Sequence, residues 1–210
     1  MDFFSGAVDY FVRGGSCMWP LLGCSLAAVV IGAERVQYFQ KHITPRRFNY
    51  DFAQVMNKFK LDQAEALAEN TKGDTACLAM EILAIEEDLG TRLENIIYAK
   101  ADRFIEDMEE NLNYLNIIIG ISPMLGLLGT ITGMIGSFNA LNERAANPMA
   151  VTSGIGEALI TTVFGLIISM VAMCIHAYLS NKVKKASLNL YDAGSILYDI
   201  ISANNAKAKK

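Results

Sequence analysis

The sequence predicts an all-α membrane protein: three transmembrane helices with a helical cytoplasmic extension. Two observations predict it. Of 210 residues, 52% are AVILMFWYC, and the charges gather in one stretch, leaving three long windows without any. Those windows lie between Arg13 and Glu34, between Glu110 and Glu143, and between Glu157 and Lys182. Each exceeds the roughly 18 apolar residues that a spanning helix needs.

Residues 1–13 carry Phe3, Phe4, Ala7, Val8, Phe11 and Val12 at helical spacing. They read either as a short helix lying in the headgroup plane or as a frayed terminus. The first span is placed at 14–36. It is not a signal peptide, because Asp2 is acidic and Arg13 is the only basic residue before it. The cytoplasmic helical segment is 37–110, the second span 111–141, an external turn 142–153 and the third span 154–180. A cytoplasmic C-terminal helix and tail, 181–210, closes the chain, with Ala203 to Lys210 expected to be disordered.

Basic residues set the orientation. Arg35, Lys41, Arg46, Arg47, Lys100, Arg103, Lys182, Lys184 and Lys185 flank one side of the spans, against Arg13 and Arg144 on the other. The N-terminus is therefore expected outside the cytoplasm and the C-terminus inside. The net charge of −4 averages an acidic segment with basic span ends and leaves no nucleic-acid footprint. Within 34–110, Leu78, Ile82, Ile85, Leu89, Leu93 and Ile96 mark an amphipathic helix. A break at Asn70 to Asp74 precedes it, with Asp74 or Thr75 as its cap. Phe104, Met108, Leu112 and Leu115 carry the stripe onward, so this helix is expected to run unbroken into the second span.

Cys17, Cys24, Cys77 and Cys174 show no paired metal spacing and read as small packing residues. His42 and His176 are isolated near span ends and read as interfacial rings. No cofactor or metal is expected. GLLGTITG, Gly126 to Gly133, lacks the lysine of a phosphate loop, and no catalytic constellation appears, so the chain is not read as an enzyme.

The second span places Ser122, Gly126, Gly129, Thr130, Gly133 and Ser137 on one small, partly polar face. Lipid gives helices no hydrophobic reason to associate, so close approach at small residues and hydroxyl bonds must do so. The glycine faces are expected to meet other subunits. Pro123 removes one backbone hydrogen bond and makes a hinge; a neighbouring hydroxyl or helix must satisfy the freed carbonyl, and Ser122 is the local choice. In the third span Gly154, Glu157, Thr161, Gly165, Ser169, Ala172 and His176 are assigned to one face. Glu157 is the one carboxylate there. Placing it at membrane depth costs about 2.5–3.5 kcal/mol on insertion scales, which argues for a watery cavity or a partner. Its nearness to the external end leaves a second reading, in which it reaches the headgroups or a helix N-terminus.

These strings resemble the ExbB/TolQ/MotA proton-channel family. Trp19-Pro20-Leu21-Leu22 with Glu34-Arg35 is similar to the family's first span, SPMLGLLGTITGMIGSF from Ser122 to its second, and GIGEALITTVFGL from Gly154 to its third. Three spans and a modest cytoplasmic segment resemble the ExbB/TolQ branch. The resemblance implies a stator and channel subunit of an inner-membrane motor driven by the proton motive force, in a ring of five copies. Two copies of a single-span ExbD/TolR-type subunit would supply the essential aspartate, with a TonB/TolA-like transducer as a further partner. The translocated ion would be a proton, with sodium the alternative that Ser122, where the family more often has alanine, leaves open. The resemblance puts the ion pathway at Thr130, Glu157 and Thr162. Helical spacing favours Thr161 over Thr162, so both stand. Pro123, Gly126, Gly129, Gly133 and Gly165 are assigned to packing and hinge. The alternatives are a passive membrane scaffold and a channel that conducts without a partner.

Overall fold

The structure is a computed structural model that describes residues 15–45, 47–58, 60–85, 92–143 and 148–208. The 1–13 segment, Leu89, and 144–147 of the external turn lie outside the described residues. Among these residues all regular structure is helical: α1 (Met18–His42), α2 (Arg47–Asn57), α3 (Leu61–Glu69), α4 (Asp74–Leu83), α5 (Arg92–Glu109), α6 (Leu112–Glu143) and α7 (Pro148–Ala208). Three helices, α1, α6 and α7, are long and apolar enough to cross a membrane. The chain divides into two compact units, one made of Met1–Ala33 and Asn111–Tyr178, the other of Glu34–Glu110 and Leu179–Lys210.

The first unit is built inside out. Many of its large apolar side chains face outward, with Trp19 68%, Met124 69% and Met170 66% exposed, while Met18, Leu21, Leu115 and Ile118 are buried. Its interior holds Ala28, Ala158 and Ala172 together with the hydroxyls of Ser122, Thr130, Ser137, Thr161 and Ser169. Water would penalise that distribution, whereas lipid rewards it, since apolar tails solvate leucine and small residues allow helices to close up.

The second unit follows the opposite rule. Phe48, Phe52 and Met56 of α2, Leu78 and Ile82 of α4, Leu93 and Ile97 of α5, and Leu190 and Leu197 of α7 form an ordinary apolar core. Asn49 Nδ2 donates to the Asn189 carbonyl at 2.8 Å, and the Tyr191 hydroxyl to Asp102 at 2.6 Å.

The one long helix expected here is two. α4 ends at Leu83, just before Glu86, Glu87 and Asp88, whose charges oppose the negative end of a helix dipole. Nor does α5 run into α6. Asn111 breaks them with φ 64°, a left-handed conformation that asparagine tolerates. Arg35 holds the end of α5. Its guanidinium, 2% exposed, donates to the Asp107 carbonyl at 2.9 Å and to Glu110 at 3.1 Å, while gripping Glu34 at 2.9 and 3.0 Å. An arginine on the last carbonyls of a helix supplies donors to groups the helix cannot satisfy itself.

α4 is capped differently from expectation. Its N-cap is Gly73, at φ 121°, and neither Asp74 nor Thr75 caps it. The Thr75 amide donates to Thr44 Oγ1 at 3.0 Å, and a Cβ on Gly73 would fall 2.6 Å from the Thr44 nitrogen. The C-terminal residues also differ: Ala203 to Ala208 are helical rather than disordered. Propagating an existing helix through Ala- and Lys-containing sequence costs little once it is nucleated. Cys77 and Cys174 are exposed rather than packed, and Cys17 is placed against a glycine, Gly129.

Candidate functional site

The candidate site is the seam between α6 and α7. Ser122, Gly126, Gly129, Thr130 and Ser137 are buried and Gly133 half-buried, so the small face of α6 forms as the spacing predicts. It meets α7 of the same chain. A Cβ on Gly126 would lie 3.0 Å from Thr162 Cα, one on Gly129 2.5 Å from Thr161 Cγ2, and one on Gly133 2.7 Å from Ala158 Cβ. A Cβ on Gly165 would lie 2.5 Å from the Ser122 carbonyl oxygen. These glycines therefore close a contact within one chain, which corrects the expectation that they wait for other subunits. Sequence spacing defines a sticky face and is silent on which helix fills it.

The matching face of α7 is Gly154, Ala158, Thr161, Gly165, Ser169 and Ala172. Glu157 is not on it: Ala158 takes that place against Gly133, and Glu157, half-buried, sits about 100° round the helix. Thr161 is 1% exposed and packs on Gly129. Thr162 is half-exposed, and its Oγ1 donates to the Gly126 carbonyl at 2.8 Å. Thr130 is buried and donates to Leu127 O at 2.7 Å. Thr162 is brought to Gly126, whereas the five-residue spacing sets Glu157 about 140° away from it around the α7 axis. The two therefore flank the packed seam on opposite sides.

The carbonyl freed by Pro123 has an owner that the sequence does not indicate. Proline has no N–H, so the Ile119 carbonyl loses its usual donor. Ser169 Oγ of α7 donates to it at 2.7 Å, while Ser122 Oγ is fully buried with no hydrogen-bond partner. α6 runs helical through Pro123. Ser169→Ala should strand the Ile119 carbonyl and lower stability by about 1–3 kcal/mol. Pro123→Ala should restore most of it in the double variant, since residue 123 then carries its own N–H; detergent melts of the four proteins measure this. α1 completes the unit, with Gly32 against the Ile175 side chain and Cys17 beside Gly129.

Along the seam the Thr130, Ser137, Thr162 and Ser169 hydroxyls donate to backbone carbonyls, while Ser122 Oγ has no partner. A hydroxyl whose hydrogen is so engaged can still accept a hydrogen bond or coordinate a cation through its lone pairs.

Residues 65–191, from α3 into the C-terminal half of α7, match the model of the MotA/TolQ/ExbB proton channel family. An ExbB-like biopolymer transport protein of Synechocystis is 32% identical over 168 residues, 77% of this chain and 79% of its own length. The biopolymer transport protein ExbB of Salmonella typhimurium is 29% identical over 195 residues, 83% of this chain and 77% of that protein. The Tol-Pal system protein TolQ of Haemophilus influenzae is 36% identical over 83 residues, 39% of this chain and 36% of its own. The chain is a multi-pass membrane protein with a proton-channel, energy-transducing role, and it belongs to the MotA/TolQ/ExbB proton channel family.

Proposed function

We propose that the chain is the stator and channel subunit of an inner-membrane motor that couples proton flow to mechanical work on an envelope partner. In this reading five copies ring two copies of an ExbD/TolR-type single-span subunit, with a TonB/TolA-like transducer receiving the work. The N-terminus faces out of the cytoplasm and the C-terminus in. Thr130, Thr162 and Glu157 serve the ion pathway, while Thr161 is a packing residue.

The observation that carries the reading is Thr162, a half-exposed residue whose hydroxyl is bonded to Gly126 O. With its hydrogen engaged, it presents an acceptor to whatever passes. A protonated carboxyl on a partner helix is a donor and suits it; the ionised form is repelled by lone pairs and costs several kcal/mol to desolvate. Passage then requires neutralisation, which ties motion to the ion. Proton is the assigned ion and sodium the alternative, since hydroxyl oxygens serve both.

A second reading, the passive scaffold, has an observation of its own: Thr130, Thr162 and Ser169 all donate to carbonyls of their own chain, as hydroxyls in a purely structural seam do. Proton flux into liposomes separates the readings. The motor predicts flux that requires both this chain and the single-span subunit. Flux from this chain alone indicates a free-standing channel, and none in either preparation under an imposed gradient leaves the scaffold.

A further inference from the structure

Away from the seam, the second unit holds a buried carboxylate in contact with a histidine. Asp74, at the first turn of α4, is 5% exposed. Its Oδ1 lies 3.0 Å from His42 Nδ1 at the end of α1, and its Oδ2 is buried with no partner. His42 reaches solvent, with its side chain 43% exposed, and its ring stacks on Tyr38 at 4.1 Å and 3°. Two residues on, Thr44 Oγ1 accepts the Thr75 amide and Thr44 packs against Gly73. One joint therefore binds the end of α1 to the start of α4.

We propose that the His42–Asp74 pair is a pH-sensitive latch that tightens this joint as the surrounding solution acidifies. It rests on this geometry alone and stands whether or not the chain conducts. Imidazole is the side chain that changes charge near neutrality, and here it is the solvent-facing member of the pair. Protonated, it places a cation against a carboxylate removed from water; neutral, it leaves that carboxylate with a hydrogen bond at most.

The remaining charges around the pair do not take over its role. On α1, Arg35 is committed to Glu34, Glu110 and the Asp107 carbonyl, and Tyr38 contributes a neutral ring. On α4, Cys77 lies beside Glu81, which pairs with Lys100 of α5. At the end of α5, Asp107 and Glu110 are negative, and the Asp107 charge opposes ionisation of Asp74. Burial holds the Asp74 carboxyl above the usual carboxylate range, with the His42 hydrogen bond opposing it and the Asp107 charge adding to it. A carboxyl raised on folding contributes stability at low pH and loses that contribution as pH rises through its folded value.

Hydrogen exchange of the full-length protein in detergent tests this, read on peptides covering 73–84 at pH 6 and pH 8 and corrected for intrinsic rates. Wild type should be about tenfold more protected at pH 6 than at pH 8, the scale of one charge-assisted hydrogen bond. His42→Gln, which keeps a donor and loses the charge, should flatten the dependence; so should Asp74→Asn, which serves if the first variant fails to fold. A wild type without pH dependence, or a folded variant of either kind that keeps the wild-type slope, overturns the proposal.

Discussion

Gly165→Ala should cost the protein about 1–3 kcal/mol of stability or more, although alanine is the better helix former. The new methyl would sit 2.5 Å from the Ser122 carbonyl oxygen and 3.1 Å from Gly126 Cα. Both obstacles are backbone, so neither yields without moving α6 bodily. That movement would also part Thr162 from Gly126 and Ser169 from Ile119. Gly120→Ala is the control, because nothing lies within 4 Å of its added Cβ. There the propensity gain of up to about 1 kcal/mol should appear unopposed. Thermal unfolding in detergent separates the two: a fall for Gly165→Ala beside a small rise for Gly120→Ala. Equal melting points would mean that α6 and α7 do not meet at these glycines.

Arg35→Ala carries the next largest effect. The side chain satisfies a helix-end carbonyl and two carboxylates at once, and its removal strands the carbonyl, takes a cation from the carboxylates and leaves a void. Removing one partner of a fully buried ion pair costs about 3–5 kcal/mol. Here Glu34 is 47% and Glu110 68% exposed, so water takes back part of the debt. The carbonyl and the void remain, and the expected loss is about 2 kcal/mol. Arg35→Lys should recover only part of it, because an ammonium cannot reproduce the planar fork. Glu110→Gln should cost less than about 1 kcal/mol, as an exposed ion-pair member does. Chemical denaturation, with all three variants compared, checks the order; an Arg35→Ala protein no weaker than Glu110→Gln would show that the guanidinium does not hold α5.

The features legible in the sequence are those the solvent dictates. Length without charge marks the three long apolar helices, and small residues at helical spacing mark the α6 face, because lipid leaves close approach as the means of association. Partner identity was beyond reach. The glycine pattern reads the same whether its complement is another subunit or α7, and one residue, a step of about 100° around the helix, decides whether Glu157 or Ala158 meets Gly133. Pro123 announces an orphan carbonyl, yet the donor, Ser169, comes from another helix. Arg35 reads as a span-end charge, since burial of a guanidinium depends on acceptors about seventy residues away, at Asp107 and Glu110. The unbroken helix into the second span failed at Asn111, where a left-handed residue costs an asparagine little and the apolar stripe gives no warning.

The central claim is that ions pass beside Thr162 and Glu157, and proton flux in liposomes holding this chain with the proposed single-span subunit tests it most directly. Glu157→Ala and Thr162→Ala should each lower flux at least about tenfold, with Thr130→Ala also reduced and insertion unchanged. Thr161→Ala, if it folds, should change flux less than Thr162→Ala. Wild-type flux from the Glu157, Thr162 and Thr130 variants alike would contradict the account and leave the seam a packing device.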